Sequence, residues 1–204
     1  MLRIHATMQS INAYKLRLFL SIIEQDFDRV DIDMYAGEHK REPFLSLNPF
    51  GQMPALEHEG FKIGDSHACL VYLARRFDDT NHWLPIDAVG EARVAEWMSK
   101  SANEIHQGPW MKRAKIRRPD AITVSDEEID QRCDHVLAIM DSHLARQHWL
   151  ASEHETIADI SCFGPVSLLS ISGYDTDKWS NVTRWMDRIR SLPRAIDIDG
   201  VPFA

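Results

Sequence analysis

The first 77 residues alternate between strand-like and helix-like hydrophobic patterns. Apolar residues at positions 2, 4 and 6 alternate with polar ones, which predicts a half-buried strand. From Ile11 to Glu24 the apolar residues fall on one helical face, and Ser10 is a suitable N-cap for that helix. Residues 30–34 alternate again and predict a second strand. The order strand, helix, strand implies a parallel pair joined by a right-handed crossover.

A hairpin and a second helix are predicted between residues 48 and 77. Two short strands, 55–58 and 61–64, flank a Glu59-Gly60 pair that suits a tight turn. The dipeptide Asp65-Ser66 then stands at the start of an apolar helical stripe. This part of the chain therefore adds β-β-α to the β-α-β that precedes it.

The same stretch predicts a site for a peptide-like ligand. Met53 precedes Pro54, so its backbone should be extended, and the bond between them is a candidate cis peptide. Such a backbone can offer its N–H and C=O to another extended chain. The N–H groups at the helix start near Ser66 can hold a carboxylate, and Asp65 could hold an ammonium group. Together they could bind the amino-acid end of a ligand.

Beyond this region the chain is helical in pattern. Residues 78–89 lack a clear period and hold turn formers, so the boundary is predicted there, between a domain at 1–78 and a domain at 89–204. The second domain contains four helical segments. The first is predicted at 91–105, and the second follows the capping box that begins at Ser125. The third follows a second capping box at 156–159 and is predicted to kink at Gly164-Pro165, and the fourth is predicted at 181–192.

Composition narrows the classes of function. The net charge of −8 argues against general nucleic-acid binding, and the short basic cluster at 112–118 is interpreted as a solvated helix end. No stretch approaches a membrane span or a signal peptide, so a cytoplasmic location is expected. The three cysteines are far apart and lie among apolar helical residues, which predicts buried thiols.

Four motifs follow one another along the chain: SINAYKLRLFL at 10–20, NPFGQMPAL at 48–56, Asp65-Ser66, and TIAD at 156–159. In this order they resemble the motifs of the cytosolic glutathione transferases. The resemblance covers essentially the whole chain, and the opening helix is similar to that of bacterial, theta- or beta-like members. It implies an α/β thioredoxin-like N-terminal domain followed by an all-α helical-bundle domain.

The resemblance also implies how glutathione would bind. Met53 would pair through its backbone with the cysteinyl part beside a cis-Pro54, while Asp65 and Ser66 would hold the γ-glutamyl end. The alternative is that Asp65-Ser66 only caps the helix.

The glycyl carboxylate of glutathione would need a cation, and the loop GEHKREPF offers His39 and Lys40. Gln52 is a further candidate for contact with the ligand. A solvated loop without a ligand is the alternative for all three residues.

The chemistry of the family requires a thiolate. A free thiol has a pKa of about 8.5, and a hydroxyl donor or a helix N-terminus lowers it. Ser10 could offer both, with Asn12 in reserve and Thr7 as a weaker candidate; the alternative is that Ser10 is only an N-cap. The loop 7–10 contains neither the tyrosine nor the cysteine of other branches, so mixed-disulfide reduction is not expected.

The electrophile would be bound by the helical domain. His106 and Trp110 are the candidates for that pocket, whereas Trp97 is expected to be a core residue. No metal motif is present, and no cofactor is expected besides glutathione as co-substrate.

The function predicted is conjugation of glutathione to a small, mostly apolar electrophile. The same thiolate could instead cleave a thioether, reduce a peroxide or isomerise a substrate. A non-catalytic glutathione-binding protein is the alternative from another class, and Ser10 with the intact Asp65-Ser66 argues against it. The family implies a homodimer in which Phe50 inserts into the partner; a buried local contact of Phe50 is equally open.

Overall fold

The computed structural model describes residues 1–203, and the chain divides into two compact units. The first unit contains residues 1–80 together with the C-terminal segment from Leu192 onward, and the second contains residues 81–191. The sequence placed that C-terminal segment in the helical domain. The structure groups it with the first unit, because its backbone is hydrogen-bonded to side chains of the first helix.

The first unit is built on a four-stranded mixed sheet with strand order β2-β1-β3-β4. Its elements are β1 (Leu2–Ala6), α1 (Ile11–Ile22), β2 (Asp28–Asp31), β3 (Ala55–His58), β4 (Phe61–Ile63) and α2 (Ser66–Phe77). As predicted, β1 and β2 are parallel, and β3 and β4 form an antiparallel hairpin. The hairpin joins the β1–β2 pair in one sheet because β3 pairs antiparallel with β1.

The second strand begins and ends earlier than the alternating pattern predicts. The prediction was 30–34, whereas β2 ends at Asp31. Beyond it, the Asp33 carboxylate accepts the N–H of Ala36 at 2.8 Å, and this local turn competes with continued pairing. The apolar alternation at Ile32 and Met34 therefore continues into a turn rather than a strand.

The second unit contains five α-helices and one π-helical turn. They are α3 (Ala88–Ala102), the turn His106–Trp110, α4 (Met111–Arg117), α5 (Asp126–Leu144), α6 (Ile157–Val166) and α7 (Ser180–Arg190). All ten residues of α6 are buried, as expected for a central helix. Pro165 lies in the last turn, so it coincides with the end of α6 rather than kinking a longer helix.

Two side-chain predictions from the sequence have different outcomes. Lys112 is buried and its Nζ lies 2.7 Å from the Asp130 carboxylate, so the solvated interpretation of the basic cluster is wrong at this residue. The prediction of buried thiols is confirmed for Cys69, Cys133 and Cys162. None of the helices within residues 1–203 is long and apolar enough to cross a membrane.

Candidate active site

The strand register brings three parts of the predicted site to one edge of the sheet. His5, near the end of β1, pairs with Ala55, the first residue of β3. Leu56 pairs in turn with Ile63, the last residue of β4. The loop after β1, the turn before β3 and the start of α2 therefore lie at the same edge.

The turn before β3 presents an unpaired backbone. The Met53–Pro54 peptide bond is cis, as the sequence suggested. Met53 precedes the first residue of β3, and within residues 1–203 its N–H and C=O have no intramolecular hydrogen bond. A half-buried residue with a free donor and acceptor can pair with an extended ligand, as a further strand would.

The start of α2 combines a cap with an available donor. Asp65 Oδ1 accepts the N–H groups of His67 and Ala68, both at 2.9 Å, and the Asp65 carbonyl accepts the N–H of Cys69. Among the first four helical N–H groups, that of Ser66 alone has no partner in the described part of the chain. The cap therefore leaves one N–H donor open, and this donor is available to an anion.

The hydrogen bonds of the Asp65 carboxylate, within residues 1–203, all use Oδ1. Its side chain is 66% exposed, so the second oxygen can meet an ammonium group. Ser66 itself is buried. Burial, together with the charge of Asp65, raises the pKa of the Cys69 thiol, which keeps this nearby cysteine protonated.

Asn48 supports the candidate site, a role that the sequence analysis did not assign to it. Its side chain is buried, and Nδ2 donates to the carbonyl oxygens of Gln52 at 2.7 Å and Gly64 at 2.9 Å. A Cβ at Gly64 would lie 2.2 Å from the Asn48 side chain, so only glycine fits there. Asn48 thus connects the turn that carries Met53 to the segment that leads into Asp65.

Ser10 is placed at the N-terminus of α1 with its hydroxyl hydrogen available. Its Oγ accepts the N–H of Ala13 at 3.3 Å, and its own N–H donates to the Thr7 carbonyl at 3.1 Å. No hydrogen bond from the Ser10 O–H is present within residues 1–203. The predicted N-cap is confirmed, and the same oxygen can donate to a ligand. Asn12 is half-buried in the first turn of α1.

His39 and Lys40 lie next to the turn that carries Met53. Lys40 Nζ donates to the Phe50 carbonyl at 3.4 Å. Gly51 has a φ of +58°, and a Cβ there would lie 2.7 Å from the His39 carbonyl, so this approach requires glycine. The Gln52 side chain is exposed. The structure therefore brings all three candidates to one loop pair.

In the helical unit, His106 and Trp110 form a stacked pair. Their ring centroids are 4.1 Å apart, at an interplanar angle of 19°, and the Arg118 guanidinium lies 6.0 Å from the Trp110 ring. The π-helical turn, which contains Pro109, places the two rings side by side.

A separate cavity of about 250 Å³ lies between α3 and α5. Its apolar lining comes from Trp97, Val136, Ile139 and Met140, and its polar lining from Glu96, Lys100, Glu104, His135 and His143. Trp97 lines this cavity, and its ring centroid lies 5.0 Å from that of His143 in an edge-on contact. Because Trp97 is only half-buried, its assignment to the core is wrong. Within residues 1–203, no group of three or more metal-ligating side chains is close enough to hold an ion.

Comparison with known proteins gives matches over both units. The family model for the glutathione S-transferase N-terminal domain matches residues 2–75, and the model for the C-terminal domain of the same family matches residues 116–193. Glutathione S-transferase F6 of Arabidopsis thaliana is 30% identical over 192 residues, which cover 88% of this chain and 90% of the relative.

Further relatives agree with this result. Glutathione S-transferase PARB of Nicotiana tabacum is 30% identical over 166 residues, covering 78% of each chain. The crystal structure of a glutathione S-transferase from Xanthobacter autotrophicus Py2 superposes with a TM-score of 0.85 at 27% identity, covering 97% of this chain and 96% of that one. Domain models, relatives and architecture coincide, and the chain belongs to the glutathione S-transferase family.

Proposed function

We propose that this chain conjugates glutathione to a small, mostly apolar electrophile and that the Ser10 hydroxyl activates the thiol. The observation that carries the proposal is the shared sheet edge: the Ser10 loop, the unpaired Met53 backbone and the open Ser66 N–H all lie there. This edge offers a peptide-binding backbone, an anion site and a hydroxyl donor together. A cysteine-containing tripeptide needs all three.

Each part of glutathione has a proposed partner. The cysteinyl N–H and C=O pair with the Met53 backbone beside Pro54, which fixes the position of the sulfur. The γ-glutamyl carboxylate takes the Ser66 N–H at the positive end of α2, and its ammonium takes the exposed oxygen of Asp65.

The glycyl carboxylate is the third anionic contact. His39 and Lys40 come from the loop that Gly51 allows to approach the Met53 turn, and Gln52 adds an exposed amide.

The reaction requires the sulfur as an anion. The Ser10 O–H donates to the sulfur and, with the N-terminus of α1, lowers the pKa of the thiol below its free value of about 8.5. The thiolate then forms a bond to the electrophilic carbon, and the leaving group departs with its electron pair. The stacked His106 and Trp110 rings are proposed to receive a planar apolar electrophile.

Ser10 can be separated from its capping role by choice of substitution. Ser10→Thr keeps both the hydroxyl and the cap, whereas Ser10→Gly loses the hydroxyl at a cost of only a few tenths of a kcal/mol in capping. We expect kcat/KM with 1-chloro-2,4-dinitrobenzene to fall about a hundredfold in Ser10→Gly and to remain near the wild-type value in Ser10→Thr. Thr7→Ala is the matched control.

Two outcomes would count against this assignment. Undiminished turnover of Ser10→Gly would transfer the role to Asn12 or to a backbone N–H. Loss of activity in Thr7→Ala with retention in Ser10→Gly would assign it to Thr7. We further propose a homodimer and a cytoplasmic location, in keeping with the family.

A further inference from the structure

The C-terminal segment is attached to α1 by side chains of that helix. Tyr14 Oη donates to the Ile196 carbonyl at 2.8 Å, and Ser21 Oγ donates to the Arg194 carbonyl at 2.7 Å. The segment is itself ordered by the Asp197 carboxylate, which accepts two backbone N–H groups of the following turn at 2.9 Å each. It is therefore a folded turn on the surface of α1.

One side chain of α1 joins this turn to the loop that leads to Ser10. Arg17 is 4% exposed, and its Nη2 donates to the carbonyls of Met8 and Ile198, at 2.8 Å in both cases. A single planar guanidinium thus bridges the loop and the C-terminal turn. An apolar side chain at this position could make neither hydrogen bond.

The turn contacts the same loop a second time. Gln9 Nε2 donates to the Asp199 carboxylate. A Cβ at Gly200 would lie 3.3 Å from the terminal methyl of Met8, and Gly200 has a φ of +85°. Met8 and Gln9, the two residues directly before Ser10, are therefore both held by the C-terminal turn.

Arg17 is a costly residue for the inner face of α1. Within residues 1–203 no carboxylate lies within salt-bridge distance of its guanidinium, and its Nε is buried without a partner. Burial, followed by the charge of Arg29, lowers its pKa, while Tyr14, Asp199 and Asp197 act in the opposite direction. A buried cation without an ion pair costs folding free energy, and a close-packed apolar residue would avoid that cost.

We propose that Arg17 is a positioning residue, which holds the Met8 carbonyl so that the Ser10 hydroxyl faces the glutathione sulfur. The C-terminal turn is the other anchor of this arrangement, through Ile198 and Asp199. The proposal rests on the activating role of Ser10. A sub-ångström displacement of a hydrogen-bond donor weakens its hold on a developing thiolate far more than it weakens binding of the whole tripeptide.

The test compares Arg17→Met and Asp199→Ala with Ser21→Ala. Ser21→Ala removes the hydrogen bond from Ser21 to the Arg194 carbonyl in the same C-terminal segment. This bond does not involve the loop that leads to Ser10, so Ser21→Ala is the matched control. The full-length variants are assayed for glutathione Kd, for the pH dependence of kcat/KM, and for the pKa of bound glutathione from thiolate ultraviolet absorbance. We expect Arg17→Met to lower kcat/KM about tenfold or more and to raise the thiol pKa. Glutathione Kd should change by less than about threefold.

The outcomes separate the two proposals. If Ser10→Gly loses the low thiol pKa but Arg17→Met and Asp199→Ala keep it, Arg17 is structural only and this inference is overturned. If Ser10→Gly keeps the low pKa, the role of Ser10 has failed instead. Asp199 is exposed, so Asp199→Ala decides the question should Arg17→Met not fold. A pH profile displaced by Ser21→Ala as strongly as by Asp199→Ala would also contradict the inference.

Discussion

The buried side-chain amide of Asn48 is hydrogen-bonded to both segments of the proposed glutathione site. Its Nδ2 bonds to the carbonyls of Gln52 and Gly64, and its Oδ1 accepts the N–H of Phe50 at 3.1 Å. These bonds fix the Met53 turn relative to the start of α2. In the proposed binding mode the two ends of glutathione contact these two segments, so we expect their spacing to determine whether both ends bind at once.

Removal of the Asn48 amide should therefore weaken glutathione binding more than turnover. Asn48→Ala removes the donor of two carbonyls, and Asn48→Asp keeps the size and the Oδ1 acceptor but loses both donors. For both variants we expect glutathione Kd, measured by calorimetry, to rise about tenfold or more, which is about 1.4 kcal/mol. Wild-type affinity in Asn48→Asp would show that these two hydrogen bonds do not set the spacing.

Which site residues could be predicted from sequence depends on how local their signal is. Ser10 and Asp65 precede helices, so their capping chemistry is visible in adjacent residues. Asn48 is hydrogen-bonded to Gly64 and Arg17 to Ile198, and both pairs are far apart in the sequence. The glycine directly before Asp65 was the available signal for the first contact. No equivalent signal existed for the second.

At the level of elements, the predicted box at the start of α6 is confirmed and extended. The Asp159 carboxylate accepts the Thr156 N–H at 2.9 Å, and it also accepts the Leu150 N–H and the Trp185 Nε1–H at 3.0 and 2.9 Å. It therefore joins α6 to the loop after α5 and to α7. Burial is the largest influence on its pKa, which is raised despite these donors.

Loss of this carboxylate should destabilise the helical unit. In Asp159→Ala the buried donors lose their acceptor, so we expect a loss of about 3 kcal/mol or more in the free energy of unfolding, measured with urea. Asp187→Ala, which removes an exposed ion pair with Arg190, should cost less than about 1 kcal/mol. A loss in Asp159→Ala no greater than that of the control would show that the box contributes only local capping.

Element boundaries were less predictable than element order. The order of strands and helices follows from the hydrophobic periods, and β1, the hairpin and α2 lie close to their predicted positions. The end of β2 was missed because the Asp33 carboxylate closes a turn, which the alternating apolar positions do not indicate. The helix predicted at 91–105 is observed as α3, which begins and ends three residues earlier because Asp87 caps it.

At the scale of the molecule, Phe50 is a large aromatic residue that is not buried within its own chain. The residue is 82% exposed, which contradicts the alternative of a buried local contact. The cavity between α3 and α5 has an apolar lining from Trp97, Val136 and Met140. We propose that Phe50 of a second copy occupies this cavity in a homodimer.

This dimer can be tested by sedimentation equilibrium. Phe50→Ala should raise the dimer Kd by about thirtyfold or more, since a central aromatic anchor contributes about 2 kcal/mol. Tyr35→Ala removes another exposed aromatic ring and is the control. In a double-mutant cycle, Phe50→Ala and Trp97→Ala should be non-additive. A monomeric wild-type mass would eliminate the proposal.

The sharpest test of thiol activation is the pKa of glutathione bound to the wild-type protein and to Ser10→Ala, read from thiolate ultraviolet absorbance across pH. We expect the bound thiol to ionise well below about 8.5 in the wild type and to return close to that value in Ser10→Ala. The Ser10 O–H is the donor that the substitution removes. An unshifted pKa in the wild type, or an equally low pKa in Ser10→Ala, would contradict activation by Ser10.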